Sequence, residues 1–224
     1  MGDVIQLSSA RRAAPADGGL GRLPEATLFF DLASPFTYLV AERFDRRVAY
    51  ATWQPTWGPR YAAAGAAAQA AAEAKDPEAF PRARQAAEQR AAELHLPLIW
   101  PERYPARVPC AMRVADYANE RGRGAAFTVA AGRLAFCGGF DLEDPRILAE
   151  AAAAAGLDAE RALHASRDRA RDDAIAASAR MLWAEGASML PALRIEGRLL
   201  FGEPQITGML VARAGHRVVR PSAS

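Results

Sequence analysis

Thr27-Leu28-Phe29-Phe30-Asp31-Leu32-Ala33-Ser34-Pro35-Phe36-Thr37-Tyr38-Leu39 is the stretch whose reading settles the architecture. Its first five residues are apolar and aromatic, bounded by Pro24 on one side and Ser34-Pro35 on the other. That is the pattern of a short buried strand. Ser34-Pro35 then opens a helix. A serine oxygen can cap orphan N–H groups, and proline at the first helical position has no N–H to lose. The spacing predicts a helix over residues 35–45, with Tyr38, Leu39 and Phe44 on its apolar side. Residues 47–53 read as a second strand. Together these form a β-α-β unit, a parallel pair joined by a right-handed crossover.

Further along, residues 60–94 are dominated by Ala, Glu, Gln and Arg, which are strong helix formers. Asp76-Pro77 reads as a break, with Asp76 as an N-cap. Residues 96–109 contain Pro97, Pro101, Pro105 and Pro109, a density that excludes a regular helix. Helices are expected at 110–121, 124–136, 145–155 and 158–185, the last broken between 168 and 173. Asp144 and Asp158 look like helix starts. Strand chemistry returns at 191–195, turns at Glu196-Gly197 and runs back over 198–201, an antiparallel hairpin. Residues 204–212 form a closing helix. Neither end of the chain has enough strands for a stable sheet, so the two must share one. The fold class is α/β and thioredoxin-like: a mixed four-stranded sheet built from β-α-β plus β-β-α, with an inserted all-helical domain. Residues 26–59 and 187–216 form the thioredoxin-like part and 60–186 the insertion. Residues 1–25, rich in Gly, Pro, Ala and Arg without periodicity, read as a disordered tail, and 217–224 as a frayed one.

Composition narrows the function. A chain of 224 residues suffices for one domain with an insertion. The 28 basic and 26 acidic side chains leave a net charge of +2, which gives no reason to expect nucleic acid or an anionic membrane as a partner. No charge-free apolar run is long enough to span a bilayer. Lys75 is the single lysine among the basic residues, a bias that reflects coding more than function. Cys110 and Cys137 lie too far apart for a CxxC motif, and no further Cys or close His completes a zinc site, so no metal is expected. They read as two reduced thiols, although the sequence leaves a disulfide between them open. His95, His164 and His216 read as surface or helix-end residues. With no export signal recognised, the expected compartment is the cytoplasm.

The stretch at 29–39 resembles the FDxxSPYSYL opening of the DsbA-like thioredoxin-fold proteins. Within them it is most similar to the branch of 2-hydroxychromene-2-carboxylate isomerase and kappa-class glutathione transferase. Trp100-Pro101 with Pro105 resembles that branch's WP…P loop. Residues 138–158, with Gly139-Phe140-Asp141-Leu142-Glu143-Asp144-Pro145 and Ala155-Gly156-Leu157-Asp158, resemble its GRDIxDPxVLAExAxxAGLD stretch. Ala187-Ser188-Met189-Leu190-Pro191-Ala192-Leu193 resembles GVFGVPTF, and Phe201-Gly202 resembles the FWGQDRL that follows. The segments occur in the right order between Leu28 and Leu210.

This resemblance implies a chemistry for a bacterial, cytoplasmic protein. Redox members carry C-P-x-C on the first turn of the leading helix; here those positions are Ser34, Pro35, Phe36 and Thr37, so no dithiol cycle can run there. In the isomerase and transferase branch the matching serine stabilises a glutathione thiolate, helped by the helix N-terminus. Ser34 is therefore the candidate catalytic residue, and it can serve as N-cap as well. Phe36 and Thr37 share its turn as candidate binding residues. Leu190-Pro191 resembles the cis-proline corner, where the residue before the proline offers backbone groups to a cysteinyl substrate.

The departures bear on the ligand. Gln54-Pro55 replaces an Asn-Pro pair, and Arg107 stands near the usual place of a loop Asn, where it could bind a carboxylate. Pro204 occupies the position of the aspartate that holds the γ-glutamyl ammonium, and Glu203 could substitute from one residue earlier. Trp57 and Trp100, with Trp53, Tyr61 and Tyr104, are expected near the mouth between sheet and helices, as pocket wall for a small aromatic ligand or as interface core. Arg103 reads as a solvated loop charge. The implied function is a glutathione-dependent, or similar thiol-dependent, isomerase or transferase acting on a small aromatic or electrophilic compound. The alternatives are a non-catalytic thiol- or small-molecule-binding protein on the same scaffold, and an oxidoreductase by superfamily label only. Oligomeric state stays open; the alanine-rich segments at 62–74 and 149–155 could pack on a second copy, as a homodimer, or on each other. With hydroxyls at 34 and 37, the protein is expected to leave insulin disulfides intact in a dithiothreitol-driven turbidity assay; clear activity there would overturn the exclusion of redox chemistry.

Overall fold

The structure, a computed structural model, describes residues 26–44, 51–58, 78–104 and 107–215. The expected tails at 1–25 and 217–224, most of the predicted range of the second strand, the helices at 60–76 with the Asp76-Pro77 break, Tyr61, Pro105 and His216 lie outside the described residues. Four short strands form one sheet: β1 (Thr27–Phe30), β2 (Thr52–Pro55), β3 (Ala192–Ile195) and β4 (Arg198–Phe201). Their order is β2-β1-β3-β4. β1 runs parallel to β2 and antiparallel to β3, and β3 is antiparallel to β4. The described helices are α1 (Pro35–Phe44), α2 (Ala79–Glu93), α3 (Pro109–Glu120), α4 (Gly124–Phe136), α5 (Pro145–Ala154), α6 (Ala159–Arg167), α7 (Arg171–Ala184) and α8 (Glu203–Gly215). The chain is thus a thioredoxin-like fold with a helical segment between its two halves. No described helix is long and apolar enough to cross a membrane.

β1 is buried on both faces, which is why it reads as a continuous apolar run. Leu28 and Phe30 point into the main core with Tyr38, Leu39 and Phe44 of α1. Phe29 points the other way, into a second cluster with Leu182 of α7, Leu190 and Ala192. Each fully buried aromatic or leucine of this kind contributes about 1.5–3 kcal/mol relative to exposure. Trp53 belongs to the core and not to a mouth: it is 2% exposed, edge-on to Phe30 and Phe44 at centroid distances of 6.0 and 5.6 Å.

Bidentate arginine–carboxylate pairs brace the elements. Arg133 of α4 holds Glu42 of α1, Arg113 of α3 holds Asp172 of α7, and Arg171 of α7 holds Glu120 and Asp116 of α3. Arg194 of β3 holds Glu185 just past α7 and covers the Phe29 ring.

Several boundaries move. The second strand lies later than expected and ends at Pro55, tolerated because β2 is a sheet edge. α3 begins at Pro109, proline being suited to a first helical position. The long 158–185 helix is two helices, α6 and α7, broken where the Asp168 side chain accepts the Ala170 N–H. The closing helix starts at Glu203, one residue early, and runs on to Gly215. Asp144 and Asp158 do cap α5 and α6, accepting from Arg146 and Arg161 N–H. Glu196 and Gly197 both have positive φ, 51° and 72°, as a two-residue hairpin turn requires.

Gly202 sits at φ +77° and donates its N–H to the Pro191 carbonyl at 2.8 Å. A Cβ there would lie 2.7 Å from Met189 Sδ, but Met189 is half-exposed and can swing away, so backbone strain dominates. Gly202→Ala is expected to lose about 1–2 kcal/mol in urea unfolding; an unchanged midpoint would count against this reading of the corner.

Candidate functional site

The sheet register places the site. Phe29 pairs with both Gln54 and Ala192, and Phe30 pairs with Pro55. The turn leaving β1, the segment leaving β2 and the proline entering β3 therefore meet at one end of the sheet. Leu190-Pro191 is a cis peptide, as the sequence led one to expect. Both residues are buried.

Residues 31–34 form the turn that launches α1. Ser34 N–H donates to the Asp31 carbonyl at 3.1 Å, and Thr37 N–H donates to the Ser34 carbonyl at 3.0 Å. Ser34 is thus the N-cap, half-buried, at the positive end of a helix. Phe36 is half-buried against the core. Thr37 is 2% exposed, and its hydroxyl has no hydrogen-bond partner among the described residues. An orphan hydroxyl costs roughly 1–3 kcal/mol unless a ligand or water completes it.

Gln54 is half-buried on β2, its Nε2 donating to the Pro55 carbonyl at 3.4 Å. Thr56 continues the ladder, its N–H donating to the Phe30 carbonyl at 2.8 Å, while its hydroxyl meets Ser178 of α7 at 2.8 Å. Trp57 is buried with the Arg107 guanidinium 5.6 Å above its ring. Trp100 stands apart from Trp57, in a cluster with Tyr104 at 4.5 Å and Phe136 at 6.3 Å, and its indole N–H donates to Glu88 at 2.7 Å. Beside that cluster a shallow cleft, with only about 20 Å³ of enclosed free space, runs from Leu32 and Ala33 to Tyr104, Phe136 and Phe140. Arg103 rims it, exposed and paired with Asp141 instead of free in solvent.

Glu203 is not presented to this cleft. Its side chain is fully buried, gripped by Arg90 of α2 through Nε at 2.5 Å and Nη2 at 3.0 Å, with the Thr207 hydroxyl at 2.8 Å. That ion pair joins the helical segment to α8.

Sequence reasoning passed over Asp31. It is 4% exposed; Oδ1 accepts the Ala33 N–H at 2.9 Å and Oδ2 the Gly58 N–H at 3.0 Å. Burial pushes its pKa up, against the two backbone donors and the Arg107 charge, which pull it down. Its place directly after an apolar strand was the sequence's one sign of burial; its backbone partners left none.

A model of the DSBA-like thioredoxin domain matches residues 26–210. The chain belongs to the DsbA-like thioredoxin family. Among solved structures, the family fold recurs in a 2-hydroxychromene-2-carboxylate isomerase, with TM-score 0.65 and 14% identity over 86% of this chain and 95% of that one. It recurs in a "probable DsbA oxidoreductase" from Streptomyces coelicolor, with TM-score 0.63 and 20% identity over 89% of this chain and 92% of that one. No curated protein matches the chain in sequence.

This family member has no cysteine on the leading helix, and both of its cysteines are free. The Cys137 thiol donates to the Tyr38 hydroxyl at 3.1 Å, which donates to the Pro97 carbonyl at 2.9 Å. Cys110 opens α3, its N–H donating to the Glu143 carboxylate at 2.9 Å. Among the described residues no three His, Cys, Asp or Glu side chains gather as a metal site. Burial, then Glu143, pushes the Cys110 thiol up to about 11. Only the thiolate alkylates, so in a Cys137→Ser background the iodoacetamide rate should still be climbing past pH 10. A plateau near the ordinary thiol range would contradict the Cys110–Glu143 contact.

Proposed function

We propose that this protein binds glutathione or a similar thiol with the sulfur at the N-terminus of α1, beside the Ser34 hydroxyl. It then uses that thiol to isomerise or conjugate a small aromatic or electrophilic compound. The observation that carries the reading is the pairing of a hydroxyl-only helix start, Ser34-Pro35-Phe36-Thr37, with the cis Leu190-Pro191 corner at the same end of the sheet. A thiolate there gains the helix N-terminal field and a hydroxyl donor in place of water. The unpartnered Thr37 hydroxyl supports the same seat, since a ligand would satisfy it. The backbone of Leu190 could pair with the thiol's peptide-like part. Trp57 with Arg107, and the Tyr104–Phe136 side of the cleft with Trp100 behind it, offer aromatic and charged surface to a flat partner lying over the cleft and not enclosed in it. Gln54 stands at the same sheet end as a further polar contact.

The isomerase likeness agrees with this reading. Disulfide chemistry, which the second neighbour's name suggests, would need sulfur where this chain has Ser34 and Thr37. Two free cysteines and a thiol ligand fit a reducing compartment, the cytoplasm. The Arg90 grip on Glu203 favours a second reading, capture of a thiol without a γ-glutamyl group: neither Pro204 nor the occupied Glu203 is available for that ammonium.

Calorimetry with millimolar glutathione, and with cysteine and a plain alkyl thiol in parallel, tests the ligand. Binding of glutathione, weakened about tenfold or more in Ser34→Ala, is the expected result. Binding of the simpler thiols alone would favour the second reading, and silence from all three would remove the thiol. Once a reaction is found, an unchanged rate in Ser34→Ala would make the scaffold a binding protein and not a catalyst at this residue.

A further inference from the structure

One buried carboxylate connects three parts of the candidate site that the sequence keeps apart. Asp31 Oδ1 holds the Ala33 N–H, immediately before Ser34. Oδ2 holds the Gly58 N–H, immediately after Trp57. The Arg107 charge acts on the same group and lies over the Trp57 ring. The polypeptide reaches Gly58 only after a helix and a strand, and Arg107 only after the next helical stretch, yet all converge on one side chain.

We propose that Asp31 is a positioning residue: its ionised carboxylate fixes the Ser34 turn against the Trp57–Gly58 loop and keeps Arg107 over the indole, without touching the ligand itself. This rests on the thiol reading of the Ser34 site and adds its control by acid.

The hydrogen-bond inventory explains why charge matters. An ionised carboxylate accepts at both oxygens, whereas a protonated one carries an O–H that would face an N–H donor. Protonation therefore weakens one of the two ties, to Ala33 or to Gly58, because a hydroxyl oxygen is a poorer acceptor than a carboxylate oxygen, and it releases the attraction on Arg107. Asparagine does the same by turning an NH₂ toward a donor. Among the described residues, the groups facing Asp31 are few, and Arg107 is the charged one acting on it. From α3 comes the neutral Met112, whose Sδ accepts the Leu32 N–H at 3.4 Å. Across the cleft from Leu32 and Ala33 stand Arg103 and Asp141, paired with each other.

The stability consequence has an unusual sign. Burial is the largest influence and raises the carboxyl above its ordinary value. The folded chain then holds this proton more tightly than the unfolded chain does. Its contribution to stability is complete below the ordinary carboxylate range and is lost as pH rises through the folded value. Wherever the charge is kept, it is kept at a cost to folding, as expected of a group retained for the site.

The test is proton NMR with nitrogen-15 labelling of the wild type and Asp31→Asn, from mildly acidic to neutral pH, with glutathione calorimetry and thermal melts on both. In the wild type the Ala33 and Gly58 amides and the Trp57 indole should titrate together, with a midpoint above that of an ordinary aspartate. None should titrate in the variant. At neutral pH the variant should bind glutathione about tenfold more weakly and melt no lower than the wild type, and wild-type affinity should fall with the same midpoint as the amides. Flat wild-type amides, amides that still titrate in the variant, equal affinity, or a melting point that drops along with affinity would each overturn the proposal. The wild-type titration decides the matter even if the variant does not fold. Absence of any glutathione binding by the wild type would sink the thiol reading, while the coupled amide and indole titration would still decide whether Asp31 ties the two segments.

Discussion

The antiparallel ladder between β1 and β3 is the constraint on which the molecule rests. It joins the first described strand to a hairpin near the other end of the chain, and it leaves β1 paired on both sides. Everything between must therefore leave and return at fixed points. The loop-closure entropy of that long excursion is offset by burying β1 on both faces. Because the register is set by which face each side chain must occupy, it also fixes what stands opposite what: Phe29 against Ala192 brings the serine turn and the cis proline to one end. The site is a by-product of the core's own requirements.

Polar groups at that end are arranged in two different ways. The Arg90–Glu203–Thr207 knot is closed on itself, its acid fully buried and fully paired. Removing one partner from such a pair is costly, although the pair as a whole adds little over an apolar substitute. The Thr37 hydroxyl, by contrast, is buried with nothing to meet among the described residues, and Asp31 is a buried carboxyl that two backbone N–H groups hold. Unfinished polar groups beside a helix start are unusual in a core and are the features that distinguish this end of the sheet.

β1, the hairpin strands β3 and β4, their turn and most helix boundaries could be read from local chemistry, because each depends on residues close in sequence, whereas β2 lies later than its residues suggested. Ser34-Pro35 opens α1, Asp144 and Asp158 cap their helices, and Glu196-Gly197 supplies two left-handed positions. The cis bond at Pro191 was legible through family likeness alone. What could not be read depends on partners distant in the chain. Nothing local says that Glu203 meets Arg90, that Trp53 is enclosed by Phe30 and Phe44, or that Trp100 spends its indole N–H on Glu88. Glu203 looked available because its neighbours are turn and helix start; a cation on another helix had already claimed it. Asp31 was overlooked for the complementary reason: its partners are backbone amides, which leave no mark in a sequence.

The arginine braces have a consequence for behaviour in base. A lysine ammonium would surrender its proton as the medium becomes strongly alkaline, and any cross-link built on it would dissolve. Guanidinium does not, so the struts from Arg113, Arg133, Arg171 and Arg194 stay charged. Caustic conditions must attack elsewhere, and two vulnerable points are the Cys110 thiol and the enclosed Tyr38 phenol. Burial raises each above its normal value, so an unravelled chain ionises there first and is favoured as hydroxide accumulates.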